Sequence, residues 1–249
     1  MNEIEQLCKD LKLSYIRENY REHLSQAKQT SQDFESMLIE LLESERLNRK
    51  NNSIVARMRQ AKFPQKKYLE DFKVERFSED IRRKFTELES LEFIQNKENI
   101  ILFSNPGMGK THYATALGIK ACLENMKVLF ISVPNLVIEL KEALSRNDLN
   151  QYKKKFLKYD LVVLDELGYV SFDKEGSEIL FNLISNRLTV GSVIITTNLL
   201  FDRWEEIFID PILTTALVDR LAYKSHLINM SGDSYRVEET LDWLKQKNS

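Results

Sequence analysis

The chain has 249 residues, 43% hydrophobic and 30% charged, which suits one large soluble domain, or a large and a small one, with a sizeable core. No apolar run approaches the ~20 residues of a membrane span, no apolar stretch behind a basic cap marks a secretory signal, and the two cysteines and three histidines are too dispersed for a disulfide framework or a zinc site, so a cytoplasmic protein with no membrane partner is expected. The formal net charge of −2 excludes a globally basic nucleic-acid binder and confines any such contact to a local patch.

The first 63 residues contain neither glycine nor proline, the pattern of helices with few sharp turns. Ile16, Tyr20 and Leu24 form a weak helical stripe. Phe34, Met37, Leu38, Leu41 and Leu42 form a stronger one, with Thr30 or Ser31 as N-cap and Asp33 and Glu35 in the first turn. Residues 1–62 therefore read as a small helical domain of three or four helices. Residues 63–97 read as a connector that includes a charged helix. From residue 98 the pattern changes. Short runs rich in Val, Ile and Leu at 99–103, 127–132, 161–164 and 193–197 alternate with helical stretches at 111–125, 136–144 and 178–188, followed by a short helix at 211–220. A fifth apolar run lies within 222–230. This alternation predicts a parallel sheet covered by helices on both faces, over residues 98–249.

The loop Ser104-Asn105-Pro106-Gly107-Met108-Gly109-Lys110-Thr111 follows the first strand and opens a helix that continues with His112. Its spacing is that of a phosphate-binding P-loop, with Ser104 where the first glycine usually stands. Such a loop turns successive N–H groups inward around a β-phosphate, and glycines permit that curvature. The following helix aims its unpaired N–H groups and positive dipole end at the same anion. Lys110 would reach the β- and γ-phosphates of ATP, and the Thr111 hydroxyl would bind Mg²⁺. Ser104 stands at the strand exit, where a β-like φ suits a residue other than glycine.

The strand at 161–164 ends in Asp165-Glu166. Strand C-termini line the ligand crevice of a parallel sheet. Beside a P-loop, Asp165 there is expected to hold Mg²⁺ and Glu166 to activate a water as general base, which favours a hydrolase over a kinase. Asn198, at the end of the strand 193–197, either reaches the γ-phosphate and attacking water or forms an ordinary turn. By spacing alone, Arg220 reads as a surface residue paired with Asp219; its alternative role is as an arginine finger reaching a neighbouring subunit's nucleotide.

GMGKTH (107–112), LDELGY (164–169), FNLISNRL (181–188), IITTNLLFDRW (194–204), DRL (219–221) and DSYR (233–236) together resemble the IstB-like ATPases. These are AAA+ transposition helpers related to the DnaC helicase loaders. The N-terminal half, with RLNRKNNSIVARMRQAKFPQKKYLEDF (46–72), also looks like that family, so the resemblance covers nearly the whole chain. It implies an α/β P-loop AAA+ domain with a parallel five-stranded sheet between helices, preceded by a small all-helical N-terminal domain. It also implies Lys110 and Thr111 as phosphate lysine and Mg²⁺ hydroxyl, Asp165 and Glu166 as metal acid and catalytic base, Asn198 as sensor and Arg220 as trans-acting arginine. Arg236 falls near the second sensor of other AAA+ proteins, with little chain after it to form a lid.

Between residues 46 and 67 stand eight cations and no acid: Arg46, Arg49, Lys50, Arg57, Arg59, Lys62, Lys66 and Lys67. A run of this kind is often a solvated helix face. With the resemblance it reads as a contact to the phosphates of double-stranded DNA, strong in low salt and weak in sequence preference. The function implied is that ATP-bound subunits self-associate on target DNA and activate a partner transposase, and hydrolysis resets the assembly. The alternative is a DnaC-like loader that uses its N-terminal domain to grip a replicative helicase. A small-molecule kinase would need an acceptor pocket and an arginine-bearing lid, and a scaffold without turnover has no use for Glu166 and Arg220.

Overall fold

The structure, a computed structural model, describes residues 2–208 and 210–231. The chain divides into two compact units, Met1–Ala56 and Arg57–Ser249.

The first unit contains α1 (Glu3–Asp10), α2 (Ser14–Thr30) and most of α3 (Phe34–Gln60). Asn2 and Glu5 close a capping box at the start of α1, so two N–H groups without helical partners are satisfied reciprocally. The cap of α3 is Asp33, whose carboxylate accepts from the Ser36 N–H at 3.0 Å, and not Thr30 or Ser31. Ser31 instead ends α2 in a left-handed conformation, φ 54°. The apolar stripe of α3 divides: Met37 and Leu41 are buried, whereas Phe34, Leu38 and Leu42 are exposed. Cys8, Ile16, Tyr20 and Leu41 form the small core. Beside it the Glu45 carboxylate, itself buried, accepts from the N–H groups of Tyr15 and Ile16 at 2.8 and 3.1 Å. It thereby satisfies donors that the first turn of α2 leaves without helical partners.

The second unit is built on five parallel strands, β1 (Asn99–Phe103), β2 (Val128–Ser132), β3 (Leu161–Leu167), β4 (Ser192–Thr197) and β5 (Ser225–Asn229), in the order β2-β3-β4-β1-β5. The helices are α4 (Glu79–Leu88), α5 (Glu92–Gln95), α6 (Lys110–Leu123), α7 (Val133–Ser145), α8 (Leu149–Phe156), α9 (Lys174–Val190), α10 (Glu205–Phe208) and α11 (Pro211–Ala222). Alternate strand residues enter different apolar clusters. Ile101, Ile131, Leu164 and Ile195 pack with α7 and α9, while Ile100, Phe130, Val163 and Ile194 pack with α6 and the segment before β1. Burial of both faces accounts for the nearly unbroken apolar runs that marked the strands. The fifth strand is shorter than the run 222–230 because α11 extends to Ala222.

Residues 63–97, expected as a connector, are part of this unit's core. Phe72, Phe77, Phe85, Leu88, Leu91, Phe93 and Ile94 are all buried in the cluster on the α6 face. Their spacing among many charged residues concealed them: the charges lie outward, and the apolar side chains between them pack inward. Arg187 of α9 is fully buried and donates to the carbonyls of Tyr159, Asp160 and Ser192, tying the starts of β3 and β4 together. Burial lowers its pKa to about 10, so the guanidinium stays charged at neutral pH. Gly191 leaves it room, since a Cβ there would lie 2.5 Å from the guanidinium.

Candidate nucleotide site

The sheet order brings the C-terminal ends of β1, β4 and β3 side by side. β1 delivers the P-loop, β3 delivers the two acids, and β4 lies between them. The cleft they share, about 810 Å³, is lined on the loop side by Gly107, Met108, Gly109, Lys110, Thr111 and His112, and on the acid side by Asp165, Glu166 and Thr196.

Within the loop, Gly107 and Gly109 take φ of 85° and 89°, values that side chains disfavour. Ser104 lies outside that region and continues the sheet, its N–H reaching Thr197 O at 3.4 Å, as expected for a residue at a strand exit. Its hydroxyl and carbonyl, with the Asn105 carbonyl, hold the buried Lys110 ammonium at 3.1, 2.7 and 3.0 Å. The departure from glycine thus supplies an extra oxygen to the lysine. Asn105 and Pro106 are exposed, and Met108 is buried in the apolar cluster. His112 meets the Tyr68 carbonyl at 3.0 Å and the edge of Phe72. The Phe72 ring also packs on the loop, where a Cβ on Gly109 would come within 3.0 Å of it. The former connector therefore braces the phosphate loop.

The Thr111 hydroxyl lies 3.0 and 3.3 Å from the two oxygens of Asp165. Burial raises the Asp165 pKa, and hydrogen bonds from Thr196 and Thr111 oppose that shift. Glu166 is set apart by a bulge: Leu164 pairs Ile195 and Leu167 pairs Thr197, so two residues of β3 stand opposite the one residue Thr196. Glu166 takes φ 63°, and its side chain is exposed while Asp165 and Leu167 on either side are buried. Val162, Leu164 and Leu167 share one apolar cluster; strict alternation would put Glu166 on that face, and the bulge gives the place to Leu167 instead.

Asn198 follows β4, but its amide oxygen is buried without a hydrogen-bond partner among the described residues and lies against Gly168, whose added Cβ would stand 2.8 Å from it. The polar side chain that β4 contributes to the cleft is Thr196, which sequence reasoning missed; the cue was the pair of hydroxyl residues, Thr196 and Thr197, that ends the apolar run Val193–Ile195. Arg220 is exposed on α11, outside the cleft lining. Its guanidinium stacks 5.1 Å from the centroid of the Phe181 ring on α9, in place of the expected pairing with Asp219. Arg236 lies outside the described residues.

The basic stretch is not one uniform surface. Arg49 is a strut, bonded to Glu45 at 3.1 Å and to the Lys12 carbonyl at 2.7 Å. Arg46 lies 3.7 Å from Glu43, and Lys62 lies 3.3 Å from Glu139 on α7. Arg57 is half-buried, and its Nη1 is shielded from solvent. Lys62 and Lys67 line the nucleotide cleft. Lys50, Arg59 and Lys66 are exposed. The acids that pair with this stretch sit just upstream on the same helix or on another element, which a count confined to 46–67 leaves out.

A family model described as IstB-like ATP binding protein matches residues 6–242. The ATP-binding protein of insertion sequence IS21 from Pseudomonas aeruginosa is 35% identical over 240 residues, covering 96% of this chain and 90% of its own length. That of insertion sequence IS5376 from Geobacillus stearothermophilus is 32% identical over 246 residues, covering 98% of each. Among solved structures, AMPPCP-bound DnaA from Aquifex aeolicus aligns with a TM-score of 0.57 at 20% identity, over 75% of this chain and 57% of that one. DnaI aligns with a TM-score of 0.56 at 20% identity, over 68% and 90%. These two likenesses are of fold. The P-loop AAA+ fold and the end-to-end match to insertion-sequence relatives make this chain a member of the IstB-like ATP-binding protein family.

Proposed function

We propose that this protein hydrolyses ATP with Mg²⁺, self-associates on double-stranded DNA in its ATP-bound form, and activates a partner transposase in the cytoplasm. The observation that carries the enzymatic part is the bulge that turns Glu166 into the cleft beside the Thr111–Asp165 pair. The oxygen donors fit Mg²⁺. A hydroxyl and a carboxylate lie side by side, Thr111 Oγ1 3.0 Å from Asp165 Oδ1, which suits a cation held by one acid and by substrate phosphates. Bound there, Mg²⁺ would neutralise charge on the β- and γ-phosphates.

Lys110 turns from the loop carbonyls to the phosphate oxygens. Glu166 orients a water and accepts its proton as the water oxygen bonds to the γ-phosphorus and the bond to the β-phosphate oxygen breaks. Arg220, exposed and absent from its own cleft, acts across a subunit boundary. The DNA and transposase roles rest on the family and on the insertion-sequence relatives. Among the basic residues, Lys50, Arg59 and Lys66 are best placed for phosphate contact, being exposed and without an acidic partner among the described residues.

Calorimetry and phosphate release test the site together. Lys110→Ala should lose ATP binding. Glu166→Gln should bind ATP normally and turn over about 10²–10⁴-fold more slowly, the usual contribution of a general base. Unchanged affinity in the first variant, or an unchanged rate in the second, refutes the assignment of that residue.

A further inference from the structure

Thr196 is 2% exposed and projects from the central strand β4 between the P-loop strand and the acid-bearing strand. Its single hydroxyl has two partners. It donates to Asp165 Oδ1 at 2.5 Å and accepts from the Glu166 N–H at 3.0 Å. The bulge explains the second bond. With Leu164 paired to Ile195 and Leu167 paired to Thr197, the two residues between them face only Thr196, and the Glu166 N–H is taken by a side chain. A non-glycine residue at φ 63° persists only where its surroundings over-determine it, against a cost of about 1–3 kcal/mol. The Thr196 hydroxyl is one such restraint. The Tyr169 N–H, which reaches the Glu166 carbonyl at 3.4 Å, is a second.

We infer that Thr196 is the positioning residue of the site: one hydroxyl fixes the rotamer of Asp165 toward Thr111 and holds the Glu166 backbone in the conformation that presents its carboxylate to the cleft. The inference rests on the proposed hydrolysis for its rate readout. The Thr196 hydroxyl is engaged by the Asp165 carboxylate and the Glu166 N–H, so the residue acts through the two acids. Its methyl group and β-branched shape suit a buried strand by themselves, so the test must separate the hydroxyl from the packing.

Thr196→Val keeps shape and branching and removes the hydroxyl. Thr196→Ser keeps the hydroxyl and removes the methyl. For wild type and both variants, kcat and KM for ATP are measured by phosphate release, and folding is checked by thermal unfolding; Thr196→Ala replaces Val if the latter does not fold. The hydroxyl-free variant should lose about tenfold to a hundredfold in kcat, as expected when a hydrogen bond to a charged group is removed and a buried donor is orphaned, with KM changed by less than about threefold, the size of a surface effect. Thr196→Ser should stay within about threefold of wild type in kcat on the same scale. A hydroxyl-free variant with wild-type kcat, or a serine variant that falls as far as valine, overturns the proposal. If wild type binds ATP but releases no phosphate, the hydrolase reading falls, and calorimetric titration of the Mg²⁺ needed for ATP binding decides the positioning role. A higher Mg²⁺ midpoint in Val but not in Ser supports it, and equal midpoints overturn it.

Discussion

Replacing Phe72 with alanine tests how much residues 63–97 contribute to the core beside the P-loop. The ring is 5% exposed, with the rings of Phe77, Phe85, His112 and Tyr113 at centroid distances of 5.7, 5.4, 5.4 and 5.1 Å. Phe→Ala at such a site costs about 3–5 kcal/mol, transfer and cavity terms together. Against a urea dependence of about 2 kcal/mol per molar, a loss near 4 kcal/mol lowers the unfolding midpoint by about 2 M. A second effect follows from the contact with Gly109. The loop loses its brace, and refixing one residue on binding costs about 1–2 kcal/mol, so ATP affinity should fall about tenfold. Phe93, also buried in the cluster but belonging to α5, is the control: Phe93→Ala should lose similar stability and keep its affinity under conditions where both variants are folded. Urea unfolding followed by fluorescence gives the first quantity and calorimetry the second. A Phe72→Ala protein within about 0.5 kcal/mol of wild type, the range of a surface substitution, refutes the core placement. Equal affinity losses in both variants refute the brace.

Two further predictions concern the assembled state. Changing Lys50, Arg59 and Lys66 together to alanine should flatten the log–log salt slope of duplex binding by about 0.9 per lost phosphate contact, whereas changing Lys62 and Lys67 should weaken ATP binding and leave that slope alone; the opposite pattern would return the DNA contact to the cleft residues. Arg220→Ala and Lys110→Ala should each be inactive alone and regain part of the turnover when mixed, because an intact site then meets an intact finger at some boundaries. Co-assembly on DNA with no recovery would leave Arg220 as a packing partner of Phe181.

The sequence alone determined the chemistry-bearing loop, the acid pair and the class of fold, because each rests on local rules. A P-loop needs its glycines, lysine and hydroxyl within a few residues of one another, a strand buried on both faces needs an apolar run, and Asp165-Glu166 directly follows such a run. The family resemblance was legible for the same reason, since its motifs are short contiguous strings. What only the tertiary structure decided depends on residues far apart in the chain. Phe72 braces Gly109 across 37 positions, and Thr196 meets Asp165 and Glu166 only because β4 lies beside β3, with one residue more in β3 than β4 has to pair with it. The basic stretch shows the same limit: its charges are contiguous in sequence, yet Arg49 is bonded to a buried acid, Lys62 and Lys67 turn to the nucleotide cleft, and Lys50, Arg59 and Lys66 stay in solvent. A charge's place in the sequence does not say which way its side chain points; packing decides that, by burying the apolar residues between the charges and offering acids from other elements to some of them.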